Sequence, residues 1–329
     1  LFFYILKFSI FFKINFILSL ICKKYNIQIT NIDKIFNQDD IIIFDPLEVI
    51  TKKSYFKKIY NRIYKNFKIG LRHGNGNDYL NKQNKSKEFK IENLIYLSHS
   101  KKQTTYIKKK INLTDENIIF SGVLKYSDDW KRLILKKEFN KKKSNFVYII
   151  SRHNSDYFSK EKKIRLIKIL RNVLIQKYNL KLIIKLHPKE TPSLSLPIYY
   201  KVLGSQNLNK TWYISNNNSF KICSKSAFGI SFLSSVSLDM LEFKKPTIEI
   251  LNIDNKENEN NYYISFAINK LVLNPKSIKD FEIIIKNILS NNTPTYLFNN
   301  YSKIYYKPNN KRTFKKIIKF YYEYCNNLC

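Results

Sequence analysis

Histidine is the scarcest chemistry-bearing residue in this 329-residue chain: only His73, His99, His153 and His187 occur. Two of them directly follow apolar runs, in Arg72-His73-Gly74 after Lys68–Leu71 and in His187-Pro188 after Leu180–Leu186. One imidazole beyond a strand is commonly a solvated loop residue. Two, one in each half of the chain and both where a strand ends, point instead to a site. Imidazole titrates near neutrality, so it can act as a general base or donate an N–H to a phosphate oxygen. A departing phosphate needs such donors aimed at its developing charge. Pro188 stops the strand and fixes the turn that presents His187, while Gly74 and Gly76 let backbone approach closely beside His73.

Hydroxyls and acids extend the set. Phe232-Leu233-Ser234-Ser235 ends an apolar run just before a helix starting near Ser237. A simple N-cap and a phosphate-binding helix start have the same signature, because backbone amides and serine hydroxyls serve both. Glu249 is the odd residue inside the apolar strand Thr247–Ile250. Asp128, Asp129, Asp239 and Glu242 read first as helix-start or surface charges. Asp239, with Arg72, Gly74 and Lys185, is also kept as a candidate substrate contact.

These residues need a scaffold that brings strand ends together. Ile41–Phe44, Lys68–Leu71, Leu94–Ser98 and Ile118–Phe120 are short apolar runs of the kind buried in parallel sheets. Helical periodicity fills 51–66 and 101–110 between them. A second series begins at Phe146–Ile150 and continues with Leu180–Leu186, Phe228–Phe232 and Pro246–Leu251. Helices are predicted over 160–178, 237–243, 277–290 and 311–324. The basic stretch 130–144 reads as a hinge. Two α/β domains with parallel sheets follow, over 1–140 and 141–300 with a helical tail over 301–329. In such folds ligands bind at the carboxyl ends of the strands, where His73 and His187 sit.

Composition bounds the function classes. A net charge of +34, from 59 Lys plus Arg against 25 acids, suits an anionic partner. The lysines recur along the whole chain, as at Lys108–Lys110 and Lys141–Lys143, so a compositional bias rich in Lys, Asn and Ile is their first reading, ahead of selection for an anionic membrane or acceptor. No nucleic-acid module is recognisable, and no nucleic-acid partner is expected. Cys22, Cys223, Cys325 and Cys329 lack metal-ligand spacing, which leaves no metal site and suits a reducing cytosol. Leu1 is not an initiator methionine, which admits a fragment or a processed form. The apolar run 1–22 is broken by Lys7 and Lys13. It is read as a first strand and helix, with an interfacial helix or an anchor as alternatives. The Lys- and Tyr-rich tail Tyr301–Tyr324 and the net charge suit peripheral contact with an anionic membrane.

Lys185-Leu186-His187-Pro188 followed by Phe232-Leu233-Ser234-Ser235 resembles the HP and SS motifs of bacterial sialyltransferases and polysialyltransferases. The same pair resembles segments of the CDP-glycerol glycerophosphotransferases of teichoic acid synthesis. Arg72-His73-Gly74 is similar to the HG turn of that second group. Lys125-Tyr126-Ser127-Asp128 looks like its RYD turn, with one residue inserted and Lys for Arg. Lys244-Lys245-Pro246 completes the order serine pair, helix, KKP, strand. The resemblance spans roughly residues 40–250 and implies a GT-B-like α/β fold of two Rossmann-like domains with a cleft between them. It also implies transfer without metal or other cofactor. The donor it implies is cytidine-activated, a CMP-sugar or CDP-polyol, and the acceptor a carbohydrate or lipid-linked polymer of the cell surface.

By the same resemblance His187, Pro188, Ser234 and Ser235 bind the donor phosphates, and Glu249 holds the ribose. His73 is the base or a phosphate ligand. Asn75-Gly76-Asn77-Asp78 departs from the pattern that follows the HG turn, so Asp78 and Asp45 stand as alternates for the base. The expected setting is cytoplasmic, with peripheral contact at the inner face of the membrane as a separate hypothesis. Two rival readings remain: a non-hydrolysing UDP-sugar 2-epimerase on the same fold, and a basic nucleic-acid- or membrane-binding protein without catalysis.

Overall fold

The computed structural model describes residues 3–6, 27–30, 41–46, 65–72, 91–135, 144–155, 158–251, 253 and 266–326. Six strands come first: β1 (Phe3–Leu6), β2 (Ile27–Thr30), β3 (Ile41–Phe44), β4 (Lys68–Leu71), β5 (Leu94–Ser98) and β6 (Ile118–Phe120). They form one sheet in the order β2-β1-β3-β4-β5-β6, with every neighbouring pair parallel. The register sets Ile43 beside Ile69 and Ile69 beside Ile95. Phe67, Ile69, Ile95, Leu97 and Ile119 then share one buried cluster. Helix α1 (Lys101–Ile111) follows β5; the Ser100 side chain caps it by accepting from the Gln103 N–H, and Asn112 ends it in a left-handed conformation.

The second series runs α2 (Asp128–Leu135), β7 (Phe146–Ile150), α3 (Lys160–Leu170), β8 (Lys181–Lys185), α4 (Pro192–Leu203), β9 (Trp212–Ile214), α5 (Ser219–Lys225), β10 (Phe228–Ser231), α6 (Val236–Glu242), β11 (Thr247–Glu249), α7 (Ile278–Leu289) and α8 (Tyr296–Ile304). A π-helical stretch over Arg171–Lys177 continues α3. The sheet is again wholly parallel, ordered β11-β10-β7-β8-β9. Tyr148 and Ile150 pack with Ile222 and Cys223 of α5 and Met240 of α6, so these helices cover one face. Glu242 ties three helices together: it pairs with Lys131 of α2 at 2.7 Å and accepts from the Tyr301 hydroxyl of α8 at 3.0 Å. That is a structural use of this acid.

The last helix, α9 (Asn310–Asn326), returns to the first sheet. Its Ile317, Phe320, Tyr321 and Tyr324 pack against the cluster around Phe67 and Ile95. Ahead of it Tyr305 bridges Ser100, the Tyr306 N–H donates to the His99 carbonyl at 3.0 Å, and Asn310 donates to the Ser127 hydroxyl at 2.8 Å. One compact unit therefore runs to Ser127 and resumes at Ile304, while the other spans Asp128–Lys303. This differs in two places from the division expected at 140/141 and 300/301. Helix α2 packs on α5 and goes with the second unit, and the C-terminal stretch is a part of the first unit instead of a separate tail. Of the helix expected over 51–66, residues 51–64 lie outside the described residues, and Lys65 and Asn66 form a turn.

Gly122 shows how tightly the returning chain is laid. It has φ +66, and a Cβ there would collide with the Tyr306 carbonyl and stand 2.7 Å from the Pro308 nitrogen. Both the left-handed backbone and the backbone collision oppose any side chain, so Gly122→Ala is expected to destabilise the first unit by at least ~2 kcal/mol, read as a lowered urea midpoint.

Candidate active site

In the second unit the chain winds outward from β7 through β8 to β9, then crosses back to lay β10 and β11 on the other side of β7. The strand order reverses between β7 and β10, the point where doubly wound sheets bind ligands. Ser151-Arg152-His153 follows β7 at this edge, Phe232–Ser235 follows β10, and His187 lies two residues past β8. The His153 and His187 rings stand 5.1 Å apart between centroids.

A buried ion pair holds this edge together. Lys163 of α3 and Glu190, in the turn before α4, are each 1% exposed at the side chain and pair directly. Lys163 also donates to the Arg152 carbonyl at 3.0 Å, beside the Tyr199 ring. Glu190 accepts from the His187 N–H at 2.6 Å, and its own N–H donates to the His187 carbonyl at 2.8 Å. Burial works to raise the Glu190 pKa, but the Lys163 ammonium and the bonds from His187 and Ser151 outweigh it and hold it below 4.5. Ser151 and Tyr199 share a 2.7 Å hydrogen bond that closes the network. One cation and one carboxylate thereby set the backbone of both histidine-bearing turns.

Both rings are neutral at pH 7. Burial, then His153 and Arg152, lowers the His187 pKa to about 4; burial, then Arg152 and Lys189, lowers that of His153. The Lys189 N–H donates to His187 Nδ1 at 3.1 Å, so the neutral ring carries its proton on Nε2. Arg152 is anchored through its guanidinium to the Leu233 carbonyl and feels the Glu249 carboxylate. Leu233 holds φ +66, a conformation unusual outside glycine. The Ser234 N–H donating to Ser231 Oγ at 3.0 Å closes that turn. The edge thus gathers a fixed guanidinium and two neutral imidazoles, groups suited to an anion.

The other expected residues fall as follows. Ser234 Oγ accepts from the Val236 N–H at 3.3 Å, and Ser235 occupies the cap of α6 without a side-chain cap bond. Glu249 is buried at the end of β11. Pro188 is exposed. Lys185 reaches the Asn217 carbonyl, and Asp239 is buried where it accepts from Ser219 at 2.8 Å. The Asp239–Ser219 bond links α6 to α5, and the Asp239 carboxylate also acts on the Lys185 ammonium. Arg152 and His153 were not singled out from the sequence, yet they obey the signal that found His187: they lie two and three residues past the apolar run Phe146–Ile150.

The first unit shows the same rule three times. Asp45, Arg72 and His99 are each the first residue beyond adjacent strands β3, β4 and β5. Asp45 and His99 are buried and Arg72 half-buried. The His99 N–H donates to Gln103 Oε1 at 2.8 Å and its ring stacks on Tyr305. Burial first, then the Arg72 charge, lowers its pKa to about 4 against the pull of Asp45. His73, Gly74 and Asp78 lie outside the described residues. Among the described residues no group of three or more His, Cys, Asp or Glu is placed to hold a metal ion.

No protein-family model and no curated protein matches the chain. Solved structures do. Two structures of the wall teichoic acid polymerase TagF align over 99% of this chain and 89% of theirs, at 11 and 12% identity and TM-scores of 0.55 and 0.53. A complex of S. aureus MnaA with UDP aligns over 92% of this chain and 91% of its own, at 10% identity and a TM-score of 0.50. At these identities the likeness is one of fold. With two parallel α/β units, the chain has the GT-B-like fold expected from its sequence.

Two stability experiments follow. Glu190→Gln leaves the Lys163 ammonium buried without its counter-charge and is expected to cost ~3–5 kcal/mol at pH 7. The depressed pKa of Glu190 contributes stability that is present above 4.5 and lost as pH falls through its folded value. The deficit of the variant should therefore shrink in acid. His99 resists protonation in the folded state, so its contribution falls as pH drops from 6.5 towards 4, by up to ~3 kcal/mol. In His99→Gln that part of the pH dependence of the denaturation midpoint should disappear.

Proposed function

We propose that the chain is a glycosyltransferase-type enzyme of cell-surface polymer synthesis, moving a sugar or polyol-phosphate from a nucleotide-activated donor to a carbohydrate or lipid-linked acceptor. The observation that carries this reading is the gathering of Arg152, His153 and His187 at the strand-order reversal of the second unit. The teichoic acid polymerase among the structural neighbours, and the resemblance of the His187-Pro188 and Ser234-Ser235 segments to transferase motifs, support it.

In this reading the acceptor hydroxyl oxygen forms a bond to the donor's reacting carbon or phosphorus as the bond to the nucleotide phosphate breaks. The electron pair leaves on the phosphate oxygen. Arg152 neutralises that charge, and the imidazole N–H groups of His153 and His187 donate to it. Such groups are already oriented before the reaction, so they lower the barrier without reorganising. Ser234, Ser235 and Pro188 line the same donor end, and Glu249 serves the ribose. The base proposed to take the hydroxyl proton is His73, with Asp78 and Asp45 as alternates. The transfer is proposed to need no metal or other cofactor, and the setting is cytoplasmic. The motif resemblance favours cytidine in the donor; UDP in the MnaA complex makes uridine the alternative to test.

Thermal shift against CMP, CDP, UDP and GDP decides it. A ligand near one hundred times its Kd stabilises the native state by ~2.7 kcal/mol. CDP is expected to raise Tm, and Arg152→Gln to weaken that binding at least tenfold. A shift with UDP alone would move the donor to a uridine nucleotide, and no shift with any of the four would overturn the transferase reading.

A further inference from the structure

Helix α9 is amphipathic on two sides. Its inner face, Ile317, Phe320, Tyr321 and Tyr324, packs on the first sheet. Its outer face would be polar if it met only water, yet it carries Phe314 at 60%, Ile318 at 38% and Tyr322 at 65% exposure. These residues are spaced i, i+4, i+8 and so form one stripe along the helix. Lys311, Lys315 and Lys319 repeat at the same spacing beside it, and all three are exposed. The helix holds five basic residues, Lys311, Arg312, Lys315, Lys316 and Lys319, against the single acid Glu323. Glu323 lies 3.7 Å from Lys319, and both line a depression with Asp115, Glu116 and Lys316, while Lys311 and Lys315 stand outside it.

We propose that α9 is an interfacial helix that docks the first unit on an anionic lipid surface. An aromatic and aliphatic stripe bordered by lysines matches a bilayer boundary, where rings enter the headgroup zone and ammonium groups meet lipid phosphates. Charge selects this occupant over a second copy of the chain: two α9 faces would set six lysines against each other, on molecules each carrying +34. The helix lies on the surface and does not span it, since no described helix is long and apolar enough to cross a membrane. The tail expected from its composition to touch membranes thus acquires a defined face. The inference does not rest on the transferase reading.

Co-sedimentation of the full chain with vesicles of phosphatidylcholine, alone or mixed with phosphatidylglycerol, tests it. Binding is expected on the mixed vesicles and not on phosphatidylcholine. The double variant Phe314→Gln/Tyr322→Gln should bind them at least tenfold more weakly with an unchanged melting curve, because both side chains are exposed. In a second measurement, Phe314→Trp should add a fluorescence component that shifts to the blue on mixed vesicles. Unchanged binding by the double variant, or no blue shift, overturns the proposal in favour of diffuse charge adsorption. Preferential capture of a single-stranded oligonucleotide, lost in the same double variant, overturns it in favour of nucleic acid.

Discussion

The Lys163–Glu190 pair is the constraint on which the candidate site depends. Both side chains are buried, and a buried ion pair adds little net stability because desolvation offsets most of the attraction. Its consequence here is geometric. The ammonium grips the Arg152 carbonyl after β7, and the carboxylate grips the His187 amide after β8. Two turns far apart in sequence are tied to one rigid centre. An apolar pair of equal volume would fill the space without fixing either backbone. The pair is best understood as a device for orientation, with Ser151 and Tyr199 closing its remaining hydrogen-bonding positions.

Neutral imidazoles follow from the same arrangement. Burial first, and then the Arg152 charge beside them, disfavours the charged form of His153 and His187, so both rings stay unprotonated. A neutral ring with Nδ1 already engaged offers one N–H and nothing to repel a base. The left-handed Leu233 turn belongs to this design as well, since its carbonyl is what anchors the guanidinium. Strain held at one residue beside a strand-order reversal is the pattern of a functional edge.

The first unit solves a different problem. Its sheet is buried by a helix drawn from the far end of the chain, and the segment before that helix stacks Tyr305 on His99. The C-terminal stretch therefore covers a core and helps to bury a titratable residue at the sheet's edge. The high net charge takes its meaning from placement. Lysines spread everywhere say little, whereas three in register beside an apolar stripe on α9 define a surface.

Much was legible in the residues alone. Strands buried on both faces must be apolar along their length, so Ile41–Phe44, Leu94–Ser98 and Phe146–Ile150 stand out without any partner in view. Once strands and helices alternate, the two parallel sheets follow, and His187 is placed at a ligand edge. Short or disguised elements were not legible: β9 has three residues, and α4 carries Pro192 at its start, where only a donor without an intrahelical partner is lost, and Pro197 in its interior, where proline ordinarily breaks a helix. The ownership of the C-terminal helix was also hidden, because periodicity shows that a helix has an apolar face and not which sheet receives it. Lys163 and Glu190 are 27 residues apart, and nothing local distinguishes them from the other lysines and acids. Local patterns report what each segment needs to bury; only packing decides which segments satisfy one another, and the site is made from that choice.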